Sequence, residues 1–146
     1  VSATSALAPY AHRVVLEITE RASLDEVDDL STYVDALRRR GYWLAIDDLG
    51  AGYAGLTSVS RLEPEVVKLD MSLVRGIDQS RTKRQLVQSM AKVCRELGMT
   101  VVTEGVETAA ERDALLGLGC DVLQGYLYGR PSRGFELPQI VPEEAA

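Results

Sequence analysis

Five short apolar runs alternate along the chain with stretches of helical periodicity. The runs are rich in Val, Ile and Leu and end in polar residues, as buried parallel strands do. They predict strands at residues 13–20, 43–48, 66–70, 100–107 (the last with its following loop) and 121–128. Apolar positions three and four apart predict helices at 23–40, 80–97 and 108–118. This alternation predicts an α/β fold with parallel strands joined by right-handed crossovers.

Capping signals and glycines set the expected limits of the helices. Ser23 with Glu26 and Thr108 with Glu111 have the spacing of capping boxes. In the helix at 80–97, four apolar residues share one face: Leu86, Met90, Val93 and Leu97. Residues 50–62 are expected to form a long loop with one helical turn, and residues 72–76 a turn.

Acidic residues gather where the expected strands end. They are Glu17 and Glu20, Asp47 and Asp48, Asp70 beside Lys68, and Glu104 and Glu107, with Gln124 on the last strand. The carboxyl ends of the strands form the active-site face of a (β/α) barrel. Carboxylate oxygens without Cys or His partners suit Mg²⁺ or Mn²⁺. For Asp70 we favour the role of a helix N-cap ahead of Met71. For Lys68 the alternative to a functional role is an internal salt bridge.

Two adjacent acids, Asp47 and Asp48, followed by Gly50 and Gly52, predict a strand that runs into a tight turn. Neighbouring side chains on a strand point to opposite sides of it. Two ionised carboxylates in close proximity are unfavourable unless a cation compensates them. The alternative is a solvated turn that binds nothing.

Composition narrows the class of protein. The 146 residues carry a net charge of −6, which argues against binding to duplex nucleic acid. No apolar run approaches the roughly 18 residues of a membrane span, and no signal peptide is evident, so we expect a cytoplasmic location. Cys94 and Cys120 are expected to be free buried thiols, and His12 a surface residue.

Residue types alone leave two reaction classes open. One is hydrolysis of a phosphodiester by two metal ions that activate water and stabilise the leaving oxygen. The other resembles the enolase type of barrel, in which a lysine base acts with Mg²⁺ on an enediolate.

Five motifs resemble those of one family. They are Leu-Glu-Ile-Thr-Glu at 16–20, Asp-Asp-Leu-Gly-Ala-Gly-Tyr at 47–53, Val-Lys-Leu-Asp at 67–70, Thr-Glu-Gly-Val-Glu-Thr at 103–108 and Gln-Gly-Tyr-Leu-Tyr-Gly-Arg-Pro at 124–131. Their order and spacing resemble the later part of the EAL domain, a bacterial cyclic di-GMP phosphodiesterase on a TIM-type barrel. Leu49 and Thr103 stand where the family usually has Phe and Ala.

The resemblance implies a role for each matched residue. Glu17, Asp47, Asp48 and Glu104 would bind two Mg²⁺ or Mn²⁺ ions, and Lys68 would hold the attacking water or a phosphate. Glu107 and Gln124 would support the substrate pocket. Glu20 would brace the loop from Gly50 to Leu56, which in this family couples the metal site to a dimer interface.

The signature Glu-Ala-Leu strand and the strand carrying the family's metal-binding Asn do not occur in this sequence. We therefore expect a partial TIM-type barrel of about five parallel strands. Residues 1–12 would be a linker or the end of a helix, 13–131 the partial domain and 132–146 an irregular tail.

The expected partners are cyclic di-GMP and either a second copy or a completing chain segment. The resemblance implies hydrolysis of cyclic di-GMP to linear pGpG, with the chain alone weak or inactive. The alternatives are a non-catalytic receptor or scaffold, and an unrelated Mg²⁺-dependent barrel enzyme.

Overall fold

The computed structural model describes residues 5–19, 29–51 and 55–134, without the side chains of residues 55 and 56. The described residues contain one five-stranded sheet with the strand order β1-β2-β3-β4-β5. Every pair of neighbouring strands is parallel. The strands are β1 (Val15–Thr19), β2 (Trp43–Leu49), β3 (Val66–Leu69), β4 (Thr100–Thr103) and β5 (Val122–Leu123). The predicted parallel α/β sheet is confirmed, and it is open, with β1 and β5 at its edges.

Within the described ranges, five α-helices connect the strands, after a 3₁₀ helix at Ala8–Arg13. They are α1 (Leu30–Arg39), α2 (Gly55–Leu62), α3 (Met71–Val74), α4 (Arg81–Glu96) and α5 (Ala109–Gly117). The capping box predicted at Thr108 and Glu111 is present at the start of α5. The expected loop at 50–62 was wrong over its second half, because α2 makes two turns there and buries Val59 and Leu62.

The described helices pack on one face of the sheet. That face carries Leu44 and Ile46 of β2, Val67 and Leu69 of β3, and Val101 of β4, which join side chains of the helices in a single core. Lys68 and Val102 occupy the opposite, inner face, because alternate residues of a strand point to opposite faces.

The inner face of the sheet is uncovered at its amino-terminal edge. Val15 and Trp43 are paired neighbours there, and the Trp43 side chain is 53% exposed. Val122 on β5 is also exposed. Val15 and Trp43 thus form one exposed apolar pair, and Val122 lies apart from them on the opposite edge strand.

Helix α4 buries a different face from the one that the apolar pattern marks. Val87, Ala91 and Cys94 are buried at i, i+4 and i+7, whereas Leu86, Val93 and Leu97 are exposed. The buried residues are smaller, which allows the helix to lie close to β4. An apolar stripe is thereby left on the outer surface. Cys94 and Cys120 are both buried and free, as predicted.

Strand β5 was predicted at 121–128, but it ends at Leu123. Gly125 then lies against the backbone of Val106, so close that a Cβ at position 125 would overlap it. The amide of Leu127 donates to the Val106 carbonyl, 3.0 Å away. The chain thus crosses the loop after β4 instead of extending the ladder.

Some predictions concern residues outside the described ranges. They are the bracing role of Glu20, the capping box at Ser23 and Glu26, the turn at Gly52 and Tyr53, and most of the tail at 132–146. The division into 1–12, 13–131 and 132–146 stays a prediction. No helix in the described part of the chain is long and apolar enough to cross a membrane.

Candidate functional site

The ammonium of Lys68 lies at the centre of an acidic cluster on the inner face of the sheet. Its Nζ is 3.0 Å from Glu17 Oε1, 2.8 Å from Asp47 Oδ1 and 2.8 Å from Glu104 Oε1. These residues stand on β1, β2 and β3 and directly after β4, so four neighbouring strands each contribute one side chain. Parallel pairing places their carboxyl ends at one edge, and this is why residues far apart in sequence meet.

A β-bulge brings Asp48 to the same cluster. Ile46 pairs with Val67 and Leu49 with Leu69, so β2 has one residue more than β3 in this interval. Asp48 has a φ of 60°, which is uncommon for a residue other than glycine. A bulge redirects a side chain, so the expectation that Asp47 and Asp48 point to opposite sides was wrong. Carboxylate oxygens of Asp47, Asp48 and Glu104 lie within 4.8 Å of one another.

The donor set of this cluster fits a divalent cation. Three carboxylates offer only oxygen atoms, which suit Mg²⁺, Mn²⁺ or Ca²⁺ better than Zn²⁺. Among the described residues, the buried Oδ1 of Asp47 accepts no well-directed hydrogen bond, although Lys68 lies 2.8 Å from it. A buried carboxylate oxygen that is incompletely satisfied in this way has capacity for a further positive ligand.

The acidic cluster keeps Lys68 charged. Burial alone would lower the pKa of Lys68, but its contacts with Asp47, Glu104 and Glu17 outweigh burial and raise the pKa above its usual value. One ammonium does not neutralise the carboxylates of Glu17, Asp47, Asp48 and Glu104. The site therefore remains strongly negative, which favours further cations.

A cavity of about 270 Å³ opens beside the cluster. Its lining includes Asp48, Asp70, Arg75, Glu104, Glu107, Gln124 and Tyr126. The Tyr126 ring is partly exposed, and the Arg130 guanidinium lies 4.4 Å from its centroid. The structure thus brings Gln124 and Glu107 to the pocket beside Glu104. Asp70 also lines it while capping α3, because its Oδ1 accepts from the Ser72 amide at 2.9 Å, so the predicted N-cap is confirmed.

Glu111 holds together two of the segments that form this pocket. Its carboxylate accepts the amides of Gly76 at 2.9 Å, Glu107 at 3.0 Å and Thr108 at 3.2 Å. Arg75 pairs with Glu107, and its guanidinium lies 4.0 Å from Glu111. Burial alone would raise the pKa of Glu111, but the backbone amides and Arg75 outweigh burial and hold that pKa below its usual value.

The contact of Glu111 with Gly76 escaped sequence reasoning. The capping-box spacing identified Glu111 and its local partner, but no local signal indicates a bond to a residue 35 positions away. The ion pair between Arg75 and Glu107 was missed for the same reason.

The EAL domain family model matches residues 2–131. The chain belongs to the EAL domain family. The cyclic di-GMP phosphodiesterase PdeF of Escherichia coli is 35% identical to it over 134 residues. Among solved EAL structures, the calcium and cyclic di-GMP complex of Klebsiella pneumoniae BlrP1 is 43% identical with a TM-score of 0.77, over 83% of this chain. A manganese complex of BlrP1 matches it with the same TM-score. The cyclic di-GMP-bound form of a standalone EAL protein from Vibrio cholerae is 30% identical over 84% of this chain, also with a TM-score of 0.77.

These EAL relatives are longer than the chain. It spans 18% of PdeF, 31% of the BlrP1 chain and 52% of the Vibrio cholerae protein. The five-stranded sheet is therefore part of a TIM-type barrel, as predicted.

Proposed function

We propose that this EAL domain hydrolyses cyclic di-GMP to linear pGpG in a metal-dependent reaction, once its barrel is complete. One observation carries the proposal: Asp47, Asp48 and Glu104 converge within 4.8 Å at the carboxyl edge of the sheet. The relatives named as cyclic di-GMP phosphodiesterases support the choice of substrate.

Glu17, Asp47, Asp48 and Glu104 are the proposed metal ligands. Divalent ions, when bound, supply the activation of a water molecule and the stabilisation of a leaving oxygen. Mg²⁺ and Mn²⁺ remain the candidate ions, and the Mn²⁺ complex of BlrP1 supports the second.

Lys68 is the proposed catalytic cation. Its ammonium has three N–H donors, which can orient a water molecule or a phosphate oxygen and stabilise negative charge as it develops. While the carboxylates are free of metal, contacts with Asp47, Glu104 and Glu17 outweigh burial and raise the pKa of Lys68. The enolase-type alternative is disfavoured by the relatives, which are named as cyclic di-GMP phosphodiesterases.

Gln124 and Glu107 are proposed to support the substrate in the cavity beside the metal ligands. Both line that cavity with Asp48 and Glu104. Arg75, paired to Glu107, fixes the orientation of the latter. The bracing role of Glu20 stays a proposal from the family resemblance.

A receptor or scaffold without turnover is the second candidate. The observation that favours it is nucleotide binding among the structural relatives, such as the standalone Vibrio cholerae EAL protein in its cyclic di-GMP-bound form. Such a module would bind cyclic di-GMP without cleaving it.

Two apolar surfaces are proposed as docking sites. A completing chain segment would cover the inner face at Val15, Trp43 and Val122, which are exposed. A second copy would bind along the stripe of Leu86, Val93 and Leu97, next to a groove of about 530 Å³ between α2 and α4. The free cysteines are compatible with a reducing compartment, which supports the proposed cytoplasmic location.

The experiment measures turnover and binding on two proteins. The first is the purified chain, and the second is a chimera in which the N-terminal half of the BlrP1 EAL domain precedes it. Each is incubated with cyclic di-GMP and Mg²⁺ or Mn²⁺, and pGpG is quantified by chromatography. We expect turnover by the chimera in the ordinary range of about 1 s⁻¹ or more and little by the chain alone. A folded chimera that binds the nucleotide without turnover would select the receptor.

A further inference from the structure

Helix α3 lies between two segments that adjoin the proposed metal ligands, namely the turn that follows Asp47 and Asp48 of β2 and the loop that begins at Glu104. On one side is the turn after Asp47 and Asp48, where a Cβ at Gly50 would be 2.5 Å from Leu73 Cδ1. On the other is the loop after Glu104, where a Cβ at Gly105 would be 2.5 Å from Met71 Cβ. Each segment thus contacts α3 at a glycine. At Gly105 the close atom is the Cβ of Met71, whereas at Gly50 it is the end of the Leu73 side chain.

Both glycines have a left-handed backbone. Their φ angles are +105° for Gly50 and +75° for Gly105, where side chains other than hydrogen are strained. The two loops therefore turn sharply and rest against the same short helix. The distance between the loops depends on the bulk of α3.

Helix α3 is itself fixed at both ends. At its start, Asp70 caps it and the Asp70 amide donates to the Leu49 carbonyl at 3.1 Å. At its end, Lys83 of α4 donates from Nζ to the carbonyls of Ser72 at 2.7 Å and Arg75 at 2.6 Å. Val74 is fully buried in the core beneath the helix. A helix of four residues rarely holds its place by its own hydrogen bonds, and these contacts supply what it lacks.

We propose that α3 is a spacer, and that Leu73 and Met71 are positioning residues that set the separation of Asp47 and Asp48 from Glu104. This inference rests on the proposed metal site, since it assigns the spacer to that site. Truncation of Leu73 removes the atoms that bear on Gly50. The turn can then shift, and the carboxylates of Asp47 and Asp48, which precede it at the end of β2, lose their fixed distance to Glu104. Metal affinity is sensitive to such shifts, because a cation requires its ligands at set distances.

The test compares Leu73→Ala with the control variant Val34→Ala in the full chain. Val34 is buried in the core on α1, and it is not among the nearest neighbours of Gly50 or Gly105. Mn²⁺ binding is measured by calorimetry and stability by urea unfolding. We expect Leu73→Ala to weaken Mn²⁺ binding at least fivefold while Val34→Ala stays within twofold, even if Val34→Ala costs more stability. Leu73→Met, which nearly conserves volume, should retain the wild-type affinity.

A second readout is independent of metal. Amide chemical shifts of the turn at Asp48–Gly50 and of the loop at Glu104–Gly105 should change in Leu73→Ala and not in Val34→Ala. Equal Mn²⁺ affinity in Leu73→Ala and wild type, or unchanged shifts in the Asp48–Gly50 turn, would overturn the spacer. Failure of the wild-type chain to bind Mn²⁺ would contradict the proposed metal site instead, and the shifts would still decide whether α3 positions the loops.

Discussion

Replacing Glu111 with Ala should destabilise the domain by about 2–4 kcal/mol, because three hydrogen bonds from backbone amides to a charged acceptor are lost. The Glu111 carboxylate is buried and accepts three backbone amides, at 2.9, 3.0 and 3.2 Å. A hydrogen bond to a charged group contributes about 1.5–3 kcal/mol. The three bonds share one carboxylate, so their contributions are not additive and the sum is an upper bound.

Two matched variants separate this network from simpler effects. Thr108→Ala removes one capping bond, in which Thr108 Oγ1 accepts the Glu111 amide at 3.1 Å, and should cost about 1 kcal/mol. Glu96→Ala removes an exposed carboxylate paired with Lys92 and should cost less than about 0.5 kcal/mol. Urea unfolding followed by circular dichroism measures all three. If Glu111→Ala costs no more than Thr108→Ala, the bond to Gly76 contributes nothing and the network argument is wrong.

The same carboxylate makes stability depend on pH. The pKa of Glu111 in the folded chain lies below its usual value of 4.5, because the backbone amides and Arg75 outweigh burial. A depressed pKa contributes stability that is complete above the unfolded value and is lost as pH falls through the folded one. The stability difference between wild type and Glu111→Gln should therefore be constant near neutral pH and shrink below about pH 4.5. If the stability difference between wild type and Glu111→Gln grows on acidification, the pKa of Glu111 is not depressed in the folded chain and the prediction is wrong.

Two further predictions concern the bulge and the outer surface. Asp48→Gly should stabilise the fold by about 1 kcal/mol, because the φ of 60° suits glycine, and it should weaken Mn²⁺ binding. Urea unfolding measures the change in stability and calorimetry the change in Mn²⁺ affinity. Tighter or equal Mn²⁺ binding would exclude Asp48 as a ligand. If the apolar stripe of α4 binds a second copy, Val93→Lys should lower the mass measured by light scattering at high concentration. The control variant Leu116→Lys, at a comparably exposed position on α5, should leave the mass unchanged. Equal masses in both variants would exclude the stripe as a dimer interface.

The sheet was predictable because its signals are local. Apolar runs with polar ends located all five strands, and the spacing of Thr108 and Glu111 located the start of α5. The cluster around Lys68 followed from a general rule, that the carboxyl ends of parallel strands share an edge.

The predictions that were wrong concern features that depend on long-range packing. The apolar pattern of α4 indicated that Leu86 and Val93 would be buried, but Val87 and Ala91 are buried instead, because small side chains allow closer approach to the sheet. Strand β5 ends early since Gly125 meets the backbone of Val106, a contact between segments far apart in the sequence. The bulge at Asp48 has no periodicity signal, since one extra residue appears only against the register of β3.

We propose that Asp47, Asp48 and Glu104 together form the metal site at which cyclic di-GMP is bound and cleaved. Crystals soaked with Mn²⁺ and cyclic di-GMP test this most directly, through anomalous diffraction at the manganese edge. We expect an anomalous peak shared by these three carboxylates, with Lys68 reoriented from the oxygens that it now contacts. A peak elsewhere, or nucleotide bound with no manganese between the carboxylates, would contradict it.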